Sequence, residues 1–275
     1  MLILSLLLYG CKTPPRAYSF FVAGHVYGST ARKAPGLHPP FVADFATLRQ
    51  YPDMRFGVFA GDIVYYSRNE FWDAVDQQID SLGLKVHFAV GNHDEGHKSP
   101  YKDRYGLTYY AFEQEGDLCI VLNPGLGGWN IWKDQMAFLK KQLARSKSYH
   151  NIFIFFHQVL WWTKGDTYRH LKINSLDGRT PTINFWPEVV PLLEACGRPV
   201  YLFAGDIGAS RQKSHLYAEQ YKNLYFLATG MGDQVRDNYL LVEVDKAKKV
   251  VVKVRMLRQN TLEVLDIERD RASYH

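Results

Sequence analysis

Five short segments hold most of the residues in this chain that could carry out chemistry. They are Gly24-His25-Val26-Tyr27-Gly28, Gly61-Asp62-Ile63-Val64-Tyr65, Gly91-Asn92-His93-Asp94, the single His157, and Gly205-Asp206-Ile207-Gly208. Each follows a short apolar run that reads as a buried strand. In α/β sheets ligands bind beyond the carboxyl ends of the strands, so all five turns can converge on one crevice. Glycine there lets the backbone bend tightly and come close to a ligand. Two carboxylates, an amide oxygen and several imidazoles in one place make a transition-metal ligand set. A cation held by them can polarise phosphoryl oxygens and lower the pKa of a bound water.

The elements that must present these turns follow from the apolar pattern. Strands are expected over Tyr18–Ala23, 56–60, 86–90, 152–156 and 200–203, each ending at one of the five segments. Between the second and third, Asn69 is placed to cap a helix whose Phe71, Trp72, Val75, Ile79 and Leu82 share one face. A second amphipathic helix carries Trp132, Met136, Leu139 and Leu143, and a third lies over 187–195. Further strands are expected at 225–228, 239–244 and Val250–Met256. An alternating first half and a strand-rich second half point to sheets covered by helices, not to a single parallel layer.

A glycine-aspartate pair, then GNHD, then an isolated histidine and a second glycine-aspartate pair, each at a strand end, resemble the calcineurin-like metallophosphoesterases. The likeness extends over most of residues 18–257. It includes Tyr109-Tyr110-Ala111-Phe112, Val121-Leu122-Asn123, the helix over 135–143 and Thr229-Gly230-Met231-Gly232. The resemblance implies an α/β fold in which two sheets form a sandwich flanked by helices, in αββα layers, with the site at one edge. It also implies a metal-dependent hydrolase of phosphoric esters, a phosphatase or phosphodiesterase, acting through a metal-activated water.

Carried over residue by residue, the resemblance makes Asp62 the ligand shared between two metals. Asn92, His157 and Asp206 complete one metal position, and His25 belongs to the other. His93 would meet the substrate phosphate and aid protonation of the leaving group. Two motifs depart from the family pattern. His25 and Tyr27 stand where the first has an aspartate and a histidine, and Asp206 and Gly208 stand where the fifth has two histidines; His25 and Asp206 can still coordinate, whereas Gly208 has no side chain to offer. One well-formed site and a weakened second are therefore expected, for a divalent or ferric ion such as Mn, Fe or Zn. Tyr65, three residues after Asp62, stands at the spacing of the iron-binding tyrosine of purple acid phosphatases, but with that branch's other ligands altered here it reads sooner as a cleft or core tyrosine. Other roles remain open too: His157 and His25 as hydrogen-bonded structural histidines, Asp206 as a cap for the segment after it. A catalytically degenerate family member that binds a ligand or partner at the cell envelope is the alternative to an enzyme.

The composition suits one soluble globular domain: 47% hydrophobic and 22% charged residues in 275. A net charge of +5 is compatible with an anionic phosphoester substrate, small or carried on a larger molecule. The basic residues are scattered and form no nucleic-acid arm, so no specific nucleic-acid binding is expected. Three cysteines make no disulfide framework, and Cys119 and Cys196 read as packing residues. Cys11 follows a short apolar run, Leu2 to Gly10, and resembles a bacterial lipoprotein processing site. Residues 1–16 are accordingly expected to be a signal or lipoprotein-like segment, 17–257 the metallophosphoesterase-like domain and 258–275 a charged tail. The location implied is the bacterial cell envelope, secreted or anchored to the membrane through a lipid on Cys11. His97 and His170, in polar loops, are further candidates to reach an anion, and Trp161-Trp162 reads as a cleft wall or as core.

Overall fold

A computed structural model of the chain describes residues 15–267 apart from positions 97 and 166. Cys11 and most of the expected 1–16 segment therefore lie outside the described residues, as does His97. In chain order the first half contains β1 (Tyr18–Ala23), α1 (Pro39–Ala43), α2 (Phe45–Gln50), β2 (Met54–Ala60), α3 (Asn69–Leu82), β3 (Lys85–Ala89) and α4 (Tyr101–Tyr105). Then come β4 (Tyr110–Gln114), β5 (Asp117–Val121), α5 (Lys133–Leu143), β6 (Ile152–Phe155) and α6 (Val190–Ala195). The remainder is strand: β7 (Val200–Ala204), β8 (Leu216–Tyr221), β9 (Leu224–Thr229), β10 (Asn238–Val244), β11 (Val250–Met256) and β12 (Thr261–Val264).

These strands form two mixed six-stranded sheets, ordered β12-β11-β10-β1-β2-β3 and β4-β5-β6-β7-β9-β8. Within the first, β1, β2 and β3 run parallel; within the second, β5, β6, β7 and β9 do. The parallel strands carry largely apolar runs because both of their faces are covered. Along β1, Phe20 enters the layer between the sheets while Phe21 faces the helices. Phe20 stacks on Phe56 of β2 at 4.8 Å and meets Phe153 of β6 edge-on at 5.1 Å, joining the two sheets. Helices α1 to α3 supply residues to the apolar cluster outside the first sheet, and α5 and α6 to the one outside the second. The result is the αββα sandwich that the resemblance implied. No helix among the described residues is long and apolar enough to cross a membrane.

Several boundaries differ from the sequence reading. Asn69 is the first residue of α3 instead of its cap; Arg68 occupies the cap position and makes no side-chain capping bond. The third expected helix opens as a wide turn, Phe185–Val189, in which the Val189 amide reaches back to the Asn184 carbonyl. It becomes α-helical only from Val190. Strand β8, at the sheet edge, carries no clear period-two pattern and was not anticipated. Strand β12 pairs with β11 beyond residue 257, so the first sheet runs into the segment read as a tail.

Candidate metal centre

The five segments lie just past β1, β2, β3, β6 and β7, and the parallel direction of these strands brings them together at one end of the sandwich. Two of their residues adopt strained backbone. His25 and Asp62 both have φ of 51°, a left-handed conformation that residues with a Cβ seldom adopt and that clusters at functional sites. Gly61, just before Asp62, allows the closest approach. A Cβ there would lie 2.3 Å from the His157 ring, so no other residue could let the imidazole lie against this turn.

His157 is the hub. Its Nδ1 donates to the Ala60 carbonyl at 3.1 Å, which leaves Nε2 as the nitrogen facing the centre. That Nε2 lies 3.4 Å from Asp62 Oδ1, 3.6 Å from Asp206 Oδ1 and 3.2 Å from Asn92 Oδ1. The other oxygen of Asp62, Oδ2, lies 3.7 Å from His25 Nε2. His25 is oriented in the same way, with Nδ1 donating to the Met231 carbonyl at 2.8 Å. The structure thus brings His25, Asp62, Asn92, His157 and Asp206 into one cluster, with a different oxygen of Asp62 serving each side.

The chemistry of this cluster fits a cation. With both imidazoles donating through Nδ1, the atoms turned inward include only acceptors: two Nε2 atoms, an amide oxygen and carboxylate oxygens. Asp206 Oδ1 is buried with no hydrogen-bond partner among the described residues, a costly arrangement for a carboxylate unless a cation or proton meets it. Donors bound at about 2.1 Å to one ion sit roughly 3.0–3.4 Å apart. The observed spacings lie close to that range. Asp62, His157 and Asp206 in particular have ligand atoms all within 4.8 Å of one another.

The electrostatics agree with this geometry. Burial pushes the Asp62 carboxyl up, but His157, His25 and His93 outweigh it and hold the group below the usual carboxylate range. Asp206 is driven well above that range by burial and by the neighbouring Asp62 charge, so it resists ionising until a cation is present. Burial lowers His25 to about 4, which keeps its ring neutral and its Nε2 lone pair available near pH 7.

Two of the departures from the family pattern, Tyr27 and Gly208, have distinct structural consequences. Tyr27 is buried, with its ring 4.3 Å from His25 and 5.0 Å from His93, so it walls the second side of the site. Gly208 has φ of 89°, and a Cβ there would fall 2.6 Å from the Gly230 backbone. A histidine cannot occupy this turn without moving the 230–232 segment. On the side of Asp62 Oδ2 and His25, position 208 therefore contributes no side chain.

His93 stands beside the cluster. Its amide donates to Asp62 Oδ1 at 3.2 Å and its Nδ1 to the Tyr65 carbonyl at 2.8 Å. Nε2 is then the nitrogen that these two contacts leave free. His93 lines an open cleft of about 480 Å³ with Asn92, Tyr65, Tyr66, Arg68 and Lys98. The Tyr65 ring packs against His93 and Tyr27, which suits a cleft tyrosine. Trp161 is core, stacked on Phe226 at 5.1 Å, and not a cleft wall.

Two supporting groups escaped the sequence reading. Asp94 is buried; its Oδ1 accepts the amides of Ile63 and Val64 at 2.7 and 3.1 Å, and its Oδ2 accepts that of Gly91 at 2.8 Å. It clamps the second turn to the third. Its position as the last residue of GNHD was the available signal. Asp237 accepts the amides of Gly232 and Gln234, both at 2.9 Å, and meets His38 Nε2 at 2.9 Å, holding the loop that presents the Met231 carbonyl to His25. Nothing in its local sequence marks that role.

No protein family matches the chain by its sequence profile, and no curated protein matches it in sequence. Solved structures do match. A putative 5'-nucleotidase from Staphylococcus aureus, crystallised with alpha-ketoglutarate, aligns at a TM-score of 0.53 and 13% identity over 91% of this chain. A 5'-nucleotidase from Candida albicans aligns at 0.47 and 13% over 96%. A conserved uncharacterized protein from Streptococcus pneumoniae, described as a predicted phosphoesterase, aligns at 0.38 and 11%, covering 91% of this chain and 94% of its own. The chain spans 54% of each of the two nucleotidase structures. At such identity the likeness to the Staphylococcus protein shows a shared fold.

Proposed function

We propose that this chain is a calcineurin-like metallophosphoesterase that hydrolyses phosphoric esters with the aid of a divalent or ferric cation. The observation that carries the reading is the acceptor-only cluster around Asp62, with the unpartnered, buried Oδ1 of Asp206 turned into it. Asp62, Asn92, His157 and Asp206 would hold the better-formed cation position. Asp62 Oδ2 and His25 offer a weaker second one. When bound, the cation supplies Lewis acidity, neutralising phosphoryl charge and lowering the pKa of water.

The chain's own residues do the rest. His93, fixed through its amide and Nδ1, turns its remaining nitrogen to a phosphoryl or leaving-group oxygen. Arg68 and Lys98 at the cleft balance the charge of the ester. Tyr27 covers His25 and keeps water from that side.

The test is metal analysis joined to a panel of mono- and diesters that includes 5'-nucleotides, in view of the nucleotidase that shares the fold. Asp62→Asn should lose both metal and hydrolysis. His93→Ala should keep fold and metal while turnover slows by roughly 10²–10⁴, the span typical of a positioned proton donor. Equal turnover by a fully loaded His93→Ala protein would remove His93 from the reaction. The second reading, a binding protein without turnover, draws on Tyr27 and Gly208 in place of ligands. Metal retention with no hydrolysis across the panel would favour it. We further propose that the protein works in the cell envelope, anchored through a lipid on Cys11.

A further inference from the structure

A second cavity, of about 790 Å³, opens where the loop before Asn174 meets the β7–β8 loop and the start of β10. Lys172, Arg211, Arg236 and His215 line it, over an apolar floor that includes Leu216 and Met256. No aspartate or glutamate lines it, and none of the candidate metal ligands does. Among the described residues, no hydrogen bond or ion pair engages the side chains of Lys172, Arg211 or Arg236.

Other surface cations of this chain are differently placed. Arg104 meets Asp73 and Asp76, Arg145 meets Glu113, Lys222 meets Glu194 and Lys253 meets Glu243. Three unpaired cations around one concavity repel one another, and an anion between them converts that repulsion into attraction. The walls are also preformed. The Lys172 amide donates to Ser214 Oγ and the Ser214 amide to the Lys172 carbonyl, both at 2.9 Å. Lys213 Nζ ties the same two loops together through the carbonyls of Ile173 and Asn174. A site that is rigid before binding loses less entropy when it is filled.

We propose that this cavity binds a small molecule bearing an oligophosphate, or a comparably multivalent phosphoryl group. The volume falls in the range of small-ligand pockets, roughly 300–1,000 Å³, and a concavity suits such a ligand better than a flat lipid surface does. Arginine and lysine together suit phosphoryl oxygens, the first as a planar fork and the second as a point charge. The site goes beyond the proposed hydrolase centre and does not depend on it.

The experiment is calorimetric titration of inorganic tripolyphosphate into the full chain, stripped of metal and held in chelator-free buffer at low salt. Saturable binding of one equivalent is expected, weakening as salt rises. The variant Lys172→Ala/Arg211→Ala/Arg236→Ala should lose about tenfold or more in affinity. These side chains are exposed and unpartnered, so its thermal melt should match that of the wild type. Asp62→Asn should bind tripolyphosphate as the wild type does, which separates this site from the metal centre. The control Lys140→Ala/Lys141→Ala/Lys147→Ala removes the same charge from α5 and the turn after it, and should leave affinity unchanged. Orthophosphate should bind more weakly, because one phosphoryl group cannot reach all three cations. The proposal is overturned if the wild type does not bind, if the cavity variant binds equally well, or if the control variant loses as much. It is overturned equally if orthophosphate matches tripolyphosphate, or if Asp62→Asn abolishes binding.

Discussion

Replacing Asp206 with asparagine should make the metal-free protein more stable and the metal-loaded protein less so. Without a cation, Asp206 Oδ1 is a buried acceptor with no partner, 3.6 Å from another acceptor, His157 Nε2. An unmet buried acceptor costs about 1–3 kcal/mol. An amide nitrogen in that place can donate to His157 or Asp62, and it replaces a carboxyl whose ionisation burial and Asp62 oppose. A gain of about 1–2 kcal/mol is expected. For a domain of this size each kcal/mol moves Tm by about 2–4 °C, so Asp206→Asn should melt about 2–8 °C higher than the wild type when stripped of metal. With cation at about 100 times Kd, the wild type gains about 2.7 kcal/mol. The variant has exchanged a carboxylate ligand for a neutral amide, and each tenfold loss of affinity removes about 1.4 kcal/mol of that gain. The order of the two proteins should therefore narrow or reverse on metal addition. Scanning calorimetry of both, with and without Mn²⁺ or Zn²⁺, reads this directly. If Asp206→Asn melts lower without metal and gains as much as the wild type with it, Asp206 is a structural residue and the ligand assignment fails.

Asp94→Asn turns a donor toward at least one of the three amides that the carboxylate now accepts. It should cost about 2–4 kcal/mol in urea unfolding and reduce metal content, since Asp62 lies on the turn it clamps. His87, on β3 and stacked on Phe112 at 3.8 Å, is lowered to about 4 by burial, with Lys85 adding to the effect. The unfolded chain therefore takes up a proton below about pH 6.5 that the native state refuses until about pH 4. Stability should fall as pH drops through that window, by up to about 3 kcal/mol from this group. His87→Phe should flatten the decline in Tm between pH 7 and 4.5; an unchanged slope would assign the decline to other groups. Cys11→Ser should abolish any acyl mass shift and release the protein from membranes in the native host. Equal extraction of both forms without detergent would count against anchoring.

The sequence alone determined where the candidate site lies. Gly-Asp, GNHD, the lone histidine and the second Gly-Asp each follow an apolar strand, and strand ends in an α/β sheet have a common destination. That regularity is local, so it survives in the sequence. It was enough to bring His25, Asp62, Asn92, His93, His157 and Asp206 under suspicion, and the family resemblance it carries implied the two-sheet sandwich. Helix starts and edge strands were less legible. Arg68 before Asn69 and the mixed run of β8 carry weak local signals that tertiary packing overrides. Only the folded structure decided which oxygen of Asp62 faces which partner, and that both imidazoles are turned by backbone carbonyls from remote segments of the chain. It alone showed that Gly208 cannot regain a side chain while Gly230 lies against it. Asp237, His38 and the Met231 carbonyl come together from positions about 200 residues apart, counting from His38. The same holds for the basic cavity, where Lys172, Arg211 and Arg236 are unremarkable singly. Their effect comes from Coulomb forces, which depend on distance in space, and separation along a chain says little about that distance until the sheets have closed.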